Sequence, residues 1–413
     1  MRILLVSQCH PDMPHVCGQR TARFAEALAK NGHKVVLLTE TLNRHPTGPK
    51  PETVAHKLQA YMDDKTRRVF HLACPPSCDP FLHGVRDGTF PFWARAGVIA
   101  LRYFFSSSVF TDWRAGSRPY WPVLANVFQP EVCWGTFGNT EALFQARAVA
   151  QLAKCPWIMD IKDSWTNFLP EKLQAKLTER FSGAHGITAL SQAHADEAQR
   201  LWPHLTPQVI YSGIPEHFLN PPDVVPPKDR FCVTLAGAVY EQASLDTFAK
   251  AFHIWLLGLD RSLRVGVHFS YVGTDHERVR RAFERVLGRC TSSVRPPVAL
   301  EEMSALLRSS HLNVYLRSAT SLWHHKIFEY LSVDRPFMVF PEEIPEAYTI
   351  VADVGGRMMS CADEASVIKA LTEAWSQRDV LTPSVNYERL SDYTWAAQAK
   401  HMTAFFRKVT KSK

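Results

Sequence analysis

The 413-residue sequence contains no uninterrupted stretch of ~20 apolar residues, so no segment is expected to cross a membrane. It also lacks any run of three or more consecutive Lys or Arg. Its 47 Lys and Arg outnumber 40 Asp and Glu for a formal charge of +7, but they are spread along the chain, which argues against a nucleic-acid-binding arm. The opening "MRILLVSQCHPDMPH" turns polar by Ser7, too early for the apolar region of a secretory signal. The nine cysteines are odd in number and scattered, and Cys133 and Cys232 fall within strand-like runs, so they read as reduced thiols of a cytosolic protein rather than a disulfide framework. His71, Cys74, Cys78 and His83 are spaced like metal ligands, yet two prolines follow Cys74 and the order fits no common zinc pattern. No metal is expected.

What is present is ample core material, 46% hydrophobic against 21% charged residues, in a chain longer than one core usually serves. Strand-like runs alternate with amphipathic helices: "RILLVS" (2–7), helix 18–32, "HKVVLLT" (33–39), "EVCWGTF" (131–137), helix 140–154, "PWIMDIKD" (156–163), "HGITALS" (185–191) and "QVIYSG" (208–213). This is the rhythm of an open parallel sheet, here of about six strands. Residues 214–230 carry five prolines and no helical period, as a linker would. A second alternating set runs from "FCVTLAG" (231–237) through "RVGVHFSYVG" (264–273) and "LNVYLRS" (312–318) to "PFMVFP" (336–341). The expected organisation is therefore α/β: domain 1–213, linker 214–230, domain 231–385, and an amphipathic helix within 386–413. Residues 41–120 are the least regular part. Their aromatic and basic stretch 93–121 suits either a core helix with a surface loop or an interfacial surface meeting lipid or a lipid-linked molecule.

Ligands of open α/β sheets bind beyond the carboxyl ends of the strands, so the loops there are the places to search. In "SQCHPDMPHVCGQRTAR", Gly18 stands where a helix begins, Arg20 could clamp an anion and His10 could touch a substrate. Simple helix capping explains the same residues. In "GTFGNTEA", Gly138 and Asn139 precede a helix in an anion-friendly arrangement. In "DIKDSWTNF", Asp160 and Asp163 could accept hydrogen bonds from sugar hydroxyls, or Asp163 could cap the next segment with Trp165 in the core. "LAGAVYEQAS" ends its strand at Gly237, and "SLWHHKIFEYLSVDRPF" (321–337) places two histidines, a lysine and a glutamate around a helix start.

Taken in order, "MRILLVS", "GQRTARFAEALAKNGHKVVLLT", "FQPEVCWGTFGNTEA", "PWIMDIKDSW", "ITALSQAHADEAQRL", "VIYSGIPEHF", "LAGAVYEQASLDTFAKAF" and "KIFEYLSVDRPFMV" resemble GT-B glycosyltransferases of the retaining, glycosyltransferase-family-four-like type. The resemblance implies two facing Rossmann-like doubly wound domains with a cleft between them, and a last helix that crosses back to the N-terminal domain. It further implies a nucleotide-sugar donor held by the C-terminal domain, a carbohydrate or lipid-linked acceptor held by the N-terminal one, no cofactor and no metal. Glu329 matches the second glutamate of the family's E-x7-E motif, which binds the donor ribose, and Lys326 is the expected partner of the diphosphate. Gly237, Ser321, His324 and His325 complete the donor contacts, with His10, Gly18, Arg20, Gly138, Asn139, Asp160 and Asp163 on the acceptor or phosphate edge.

The chain departs from the pattern at three positions. Ser321 stands where the first glutamate belongs, and Ala238 and Ala243 replace the usual phosphate-binding arginine and lysine. Either Lys326, Arg20 or backbone amides at 322–326 supply the missing charge, or the protein binds a glycan or a partner transferase without turnover. A sugar-nucleotide epimerase or phosphorylase on the same fold is the third reading. For a transferase, surface polysaccharide assembly in the cytoplasm, with peripheral membrane contact through 93–121, is the expected setting.

Overall fold

Strand β1 (Arg2–Val6) is apolar on both sides: Ile3 and Leu5 join one buried cluster, Leu4 and Val6 another. A strand covered on both faces belongs in a parallel sheet flanked by helices. The computed structural model, which describes all residues except 14, 15, 46, 170, 381, 412 and 413, places β1 at the centre of such a sheet. Its seven parallel strands run in the order β3-β2-β1-β4-β5-β6-β7, with β2 at Lys34–Glu40, β3 at Val69–Cys74, β4 at Val132–Phe137, β5 at Trp157–Ile161, β6 at Gly186–Ala189 and β7 at Gln208–Val209. This sheet belongs to a unit made of Met1–Gly213 and Trp395–Lys413. The C-terminal helix Trp395–Lys411 sets Met402, Phe405 and Phe406 into the same cluster as Phe24 and Leu28 of helix α1 (Val16–Lys30).

The second unit, Ile214–Thr394, holds six parallel strands in the order β10-β9-β8-β11-β12-β13. They are β8 (Phe231–Ala236), β9 (Val267–Val272), β10 (Thr291–Arg295), β11 (Leu312–Leu316), β12 (Phe337–Phe340) and β13 (Met358–Ser360). Phe231, Val233 and Leu235 of β8 pack with Phe248 and Phe252 of the following helix, and Phe269 stacks on Phe283 at 4.2 Å. Residues 386–394, grouped from the sequence with the last helix, lie in this unit, and so does the segment 214–230.

The first sheet has seven strands rather than about six because the irregular-looking stretch 41–120 contributes β3 and helices α2 (Pro51–Asp63), α3 (Pro80–Asp87) and α4 (Phe92–Ser106). As an edge strand, β3 leaves His71 exposed, which breaks the apolar run that marks a central strand. Edge strands β10 and β13 escape notice for the same reason: "TSSVR" and "MMS" have no fully buried residue. Within 93–121 the structure separates two roles. Trp113 and Tyr120 are core, whereas α4 has no buried residue at all.

Candidate functional site

In the second unit the strand order reverses between β8 and β11, the point where open α/β sheets bind ligands. The loop after β8 turns at Gly237, whose φ of +96° is a conformation that side-chain-bearing residues avoid. The glycine is needed for space as well, because a Cβ there would lie 2.1 Å from Lys326 Nζ. Gly237 O accepts from Tyr271 Oη at 2.8 Å, which holds the loop down on β9. Two carboxylates fasten the neighbouring loops. Asp275 Oδ2 accepts from Val239 N at 3.0 Å, and Glu241 Oε1 accepts from Ser318 Oγ and Ala319 N, both at 2.9 Å.

Lys326 opens the short helix Lys326–Ser332, whose Ile327, Phe328, Tyr330 and Leu331 are buried. That anchoring face leaves Lys326 and Glu329 on the other side, one turn apart. The ammonium of Lys326 is buried without a hydrogen-bond partner among the described residues. Burial pushes its pKa down, and the fields of Glu329 and Asp275 offset this only in part. A charge so placed is costly unless an anion joins it. Tyr240, half exposed, sits beside it with its ring centroid 5.8 Å from Nζ.

The remaining donor-side residues take different places. His325 Nε2 lies 3.6 Å from Glu329 Oε1, with the two side chains 34% and 30% exposed, so the carboxylate is open to a ligand. His324 packs edge-on to Tyr240 at 5.2 Å, its Nε2 has no partner among the described residues, and burial first, then the nearby Lys326, drives its pKa down to about 3. It stays a neutral imidazole. Ser321 turns its hydroxyl back into its own loop, donating to Trp323 O at 3.0 Å. Its carbonyl accepts from Arg317 Nη2 at 2.7 Å.

In the first unit the strand order reverses between β1 and β4. Residues 14 and 15 of the loop after β1 lie outside the described residues. Gly18 is inside α1 rather than at its start, and a Cβ would meet His10 O at 2.3 Å, so its role is to let the loop fold over the helix. His10 Nδ1 accepts from Asp12 N at 3.2 Å, and its ring meets His71 edge-on at 4.7 Å. Asn139 caps the helix Thr140–Ala153 by accepting from Glu141 N at 3.0 Å. A Cβ on Gly138 would stand 3.2 Å from Lys162 Nζ.

Arg20 and Asp160 do not face a ligand. They form a buried ion pair at 2.6 Å, 3% and 0% exposed. Asp160 also accepts from Thr136 and Thr188, each at 2.8 Å, while Arg20 donates to Ser212 Oγ and Ile210 O, both at 3.1 Å. Every strong polar group of the pair is spent on holding β4, β5 and β6 to α1 and the chain after β7. Lys162, which was not among the site residues expected from the sequence, is buried between Cys17 Sγ at 2.8 Å and the carboxylate of Asp163. Burial opposes its charge, but Asp163 and Cys17 outweigh that and raise its pKa. In the second unit, Glu241 and Asp275 were invisible because they act on backbone amides from other loops. Among the described residues no three His, Cys, Asp or Glu side chains gather as a metal site.

No protein-family model matches the sequence, and neither does any curated protein sequence. Solved structures match over the whole chain. A glycosyltransferase from Rickettsia africae ESF-5 is 9% identical, with a TM-score of 0.63, over 100% of this chain and 99% of that one. Sucrose-phosphate synthase from Thermosynechococcus elongatus is 12% identical, with a TM-score of 0.67 and the same coverage. Anabaena Alr3699/HepE, solved with UDP and glucose, is 11% identical, with a TM-score of 0.61, over 99% of this chain and 100% of that one. Two parallel α/β units of seven and six strands that align along whole chains with such enzymes define the GT-B type of fold.

Proposed function

We propose that the protein is a glycosyltransferase that moves a sugar from a nucleotide-sugar donor to a carbohydrate or lipid-linked acceptor, with retention of anomeric configuration and without a metal. The observation that carries this reading is the unpartnered ammonium of Lys326, buried beside the left-handed turn at Gly237 where β8 and β11 part. A diphosphate is the anion such a turn and cation suit, and the partly exposed Glu329 on the same helix face accepts two ribose hydroxyls. As the bond from the anomeric carbon to the phosphate oxygen breaks, Lys326 offsets the charge that develops on the leaving group. The acceptor oxygen bonds to the same carbon and its proton passes to the departing phosphate. We place this activity in the cytoplasm, in the assembly of surface polysaccharide.

Binding and turnover together test the reading. A panel of nucleotide sugars should raise the melting temperature for at least one donor. Glu329→Ala should abolish both that shift and sugar transfer while the unliganded melting temperature stays put. Full transfer activity in Glu329→Ala would sink the assignment. The substitution of Ser321, Ala238 and Ala243 for the family's charged residues favours a second reading, a glycan-binding or partner-binding protein without turnover. That reading requires that no nucleotide sugar shift the melting temperature and that an active transferase co-purify.

A further inference from the structure

Helix α4 (Phe92–Ser106) lies on the first unit without burying a single residue, although its sequence "FWARAGVIALRYFFS" is mostly apolar. Trp93, Gly97, Ala100, Leu101 and Phe104 follow at helical spacing and make one outward stripe. Trp93 is 77% exposed, Leu101 59%, Phe104 57% and Phe105 74%. Beside the stripe a groove of about 620 Å³ opens, walled by Phe92, Ala96, Ala100, Tyr103, Phe104 and Leu173. The two arginines of α4 flank the stripe and are partly exposed. Arg95 Nε donates to Val85 O at 3.0 Å, and Arg102 lies 3.9 Å from Asp79. Lys176, from the adjacent helix, holds its ammonium 4.5 Å from the centre of the Phe104 ring.

We infer that α4 docks the protein on an anionic phospholipid bilayer, with Trp93, Leu101, Phe104 and Phe105 entering the acyl boundary and Arg95, Arg102 and Lys176 at the level of the phosphates. Charge selects this occupant. The helix carries two arginines and no carboxylate, so it complements an anionic surface. A second copy of the chain fits poorly, since a two-fold contact through this face would set the same cations against themselves. The inference rests on the lipid-linked form of the proposed acceptor only for its purpose. Vesicle binding is read without turnover, so a protein that binds vesicles and transfers no sugar defeats the transferase reading alone.

The experiment is flotation of the full chain with phosphatidylcholine vesicles, with and without roughly one third phosphatidylglycerol. The protein should float with the anionic vesicles, lose flotation as salt is raised, and stay behind with the neutral ones. The double variant Trp93→Ser, Phe105→Ser alters two exposed side chains and should keep its melting temperature while its vesicle partition falls about tenfold or more. Absence of flotation, equal flotation of the variant, or light scattering that shows a dimer abolished by the variant would each overturn the inference.

Discussion

Replacing Lys326 by methionine should make the protein more stable and less active at once. The ammonium lies buried with no hydrogen-bond partner among the described residues, and the fields of Glu329 and Asp275 with the nearby Tyr240 ring favour its charge. An uncompensated buried charge carries a penalty of several kcal/mol even after relaxation. With those fields offsetting part of it, removing the charge from an almost isosteric side chain should return about 1–2 kcal/mol, which raises the melting temperature by about 1–2 °C in a protein of 413 residues. A charge-assisted hydrogen bond to a phosphate contributes about 1.5–3 kcal/mol, so affinity for a nucleoside diphosphate should fall by about tenfold to a hundredfold. Turnover should fall further, by about 10²–10³, because the cation counts most as the leaving group gains charge. Differential scanning fluorimetry with and without uridine diphosphate, followed by a transfer assay, reads all three. If Lys326→Met melts several degrees lower and retains its diphosphate shift, the lysine is a structural element and the donor site lies elsewhere.

Asp160→Asn strands the guanidinium of Arg20 in the core and should cost about 3–5 kcal/mol, seen as a large drop in melting temperature; a mild loss of stability with a large loss of acceptor affinity would instead return Asp160 to the acceptor site. Gly18→Ala drives a Cβ into His10 O at 2.3 Å, so about 1–3 kcal/mol of destabilisation is expected, and an unchanged denaturation midpoint would show that the loop after β1 yields freely. Burial holds His33, His194 and His311 neutral with pKa values of about 4, and His324 with a pKa of about 3. The unfolded chain takes up these protons below about pH 6.5 and the folded one does not. Stability should therefore be complete above that pH and decline as it falls towards 4, and a melting temperature equal at pH 7 and pH 5 would contradict this.

The central strands were legible because burial on both faces writes continuous apolar runs such as "RILLV" and "FCVTLA" into the chain. The edge strands were not, since "TSSVR" touches one neighbour and faces water. The site was legible where one short segment holds it, as with Lys326 and Glu329 a turn apart on one helix. Arg20 and Asp160 show the opposite case. Read locally, both suit a ligand, but they are 140 positions apart in sequence and only the fold reveals that they neutralise each other. Glu241 fastening Ser318 and Ala319 is the same kind of information, a long-range contact that no local period encodes.

The chain leaves the first unit after Gly213 and returns to it at Trp395. The helix Trp395–Lys411 completes, beside α1, the cover on one face of the first sheet, so that cover stays incomplete while residues 214–394 emerge from the ribosome. The second unit is continuous in sequence, so all of its residues are made before the last helix of the first unit. A chain stopped anywhere between 214 and 394 would therefore leave the Phe24 and Leu28 side of the first unit without its last apolar cover, which exposes it to proteolysis.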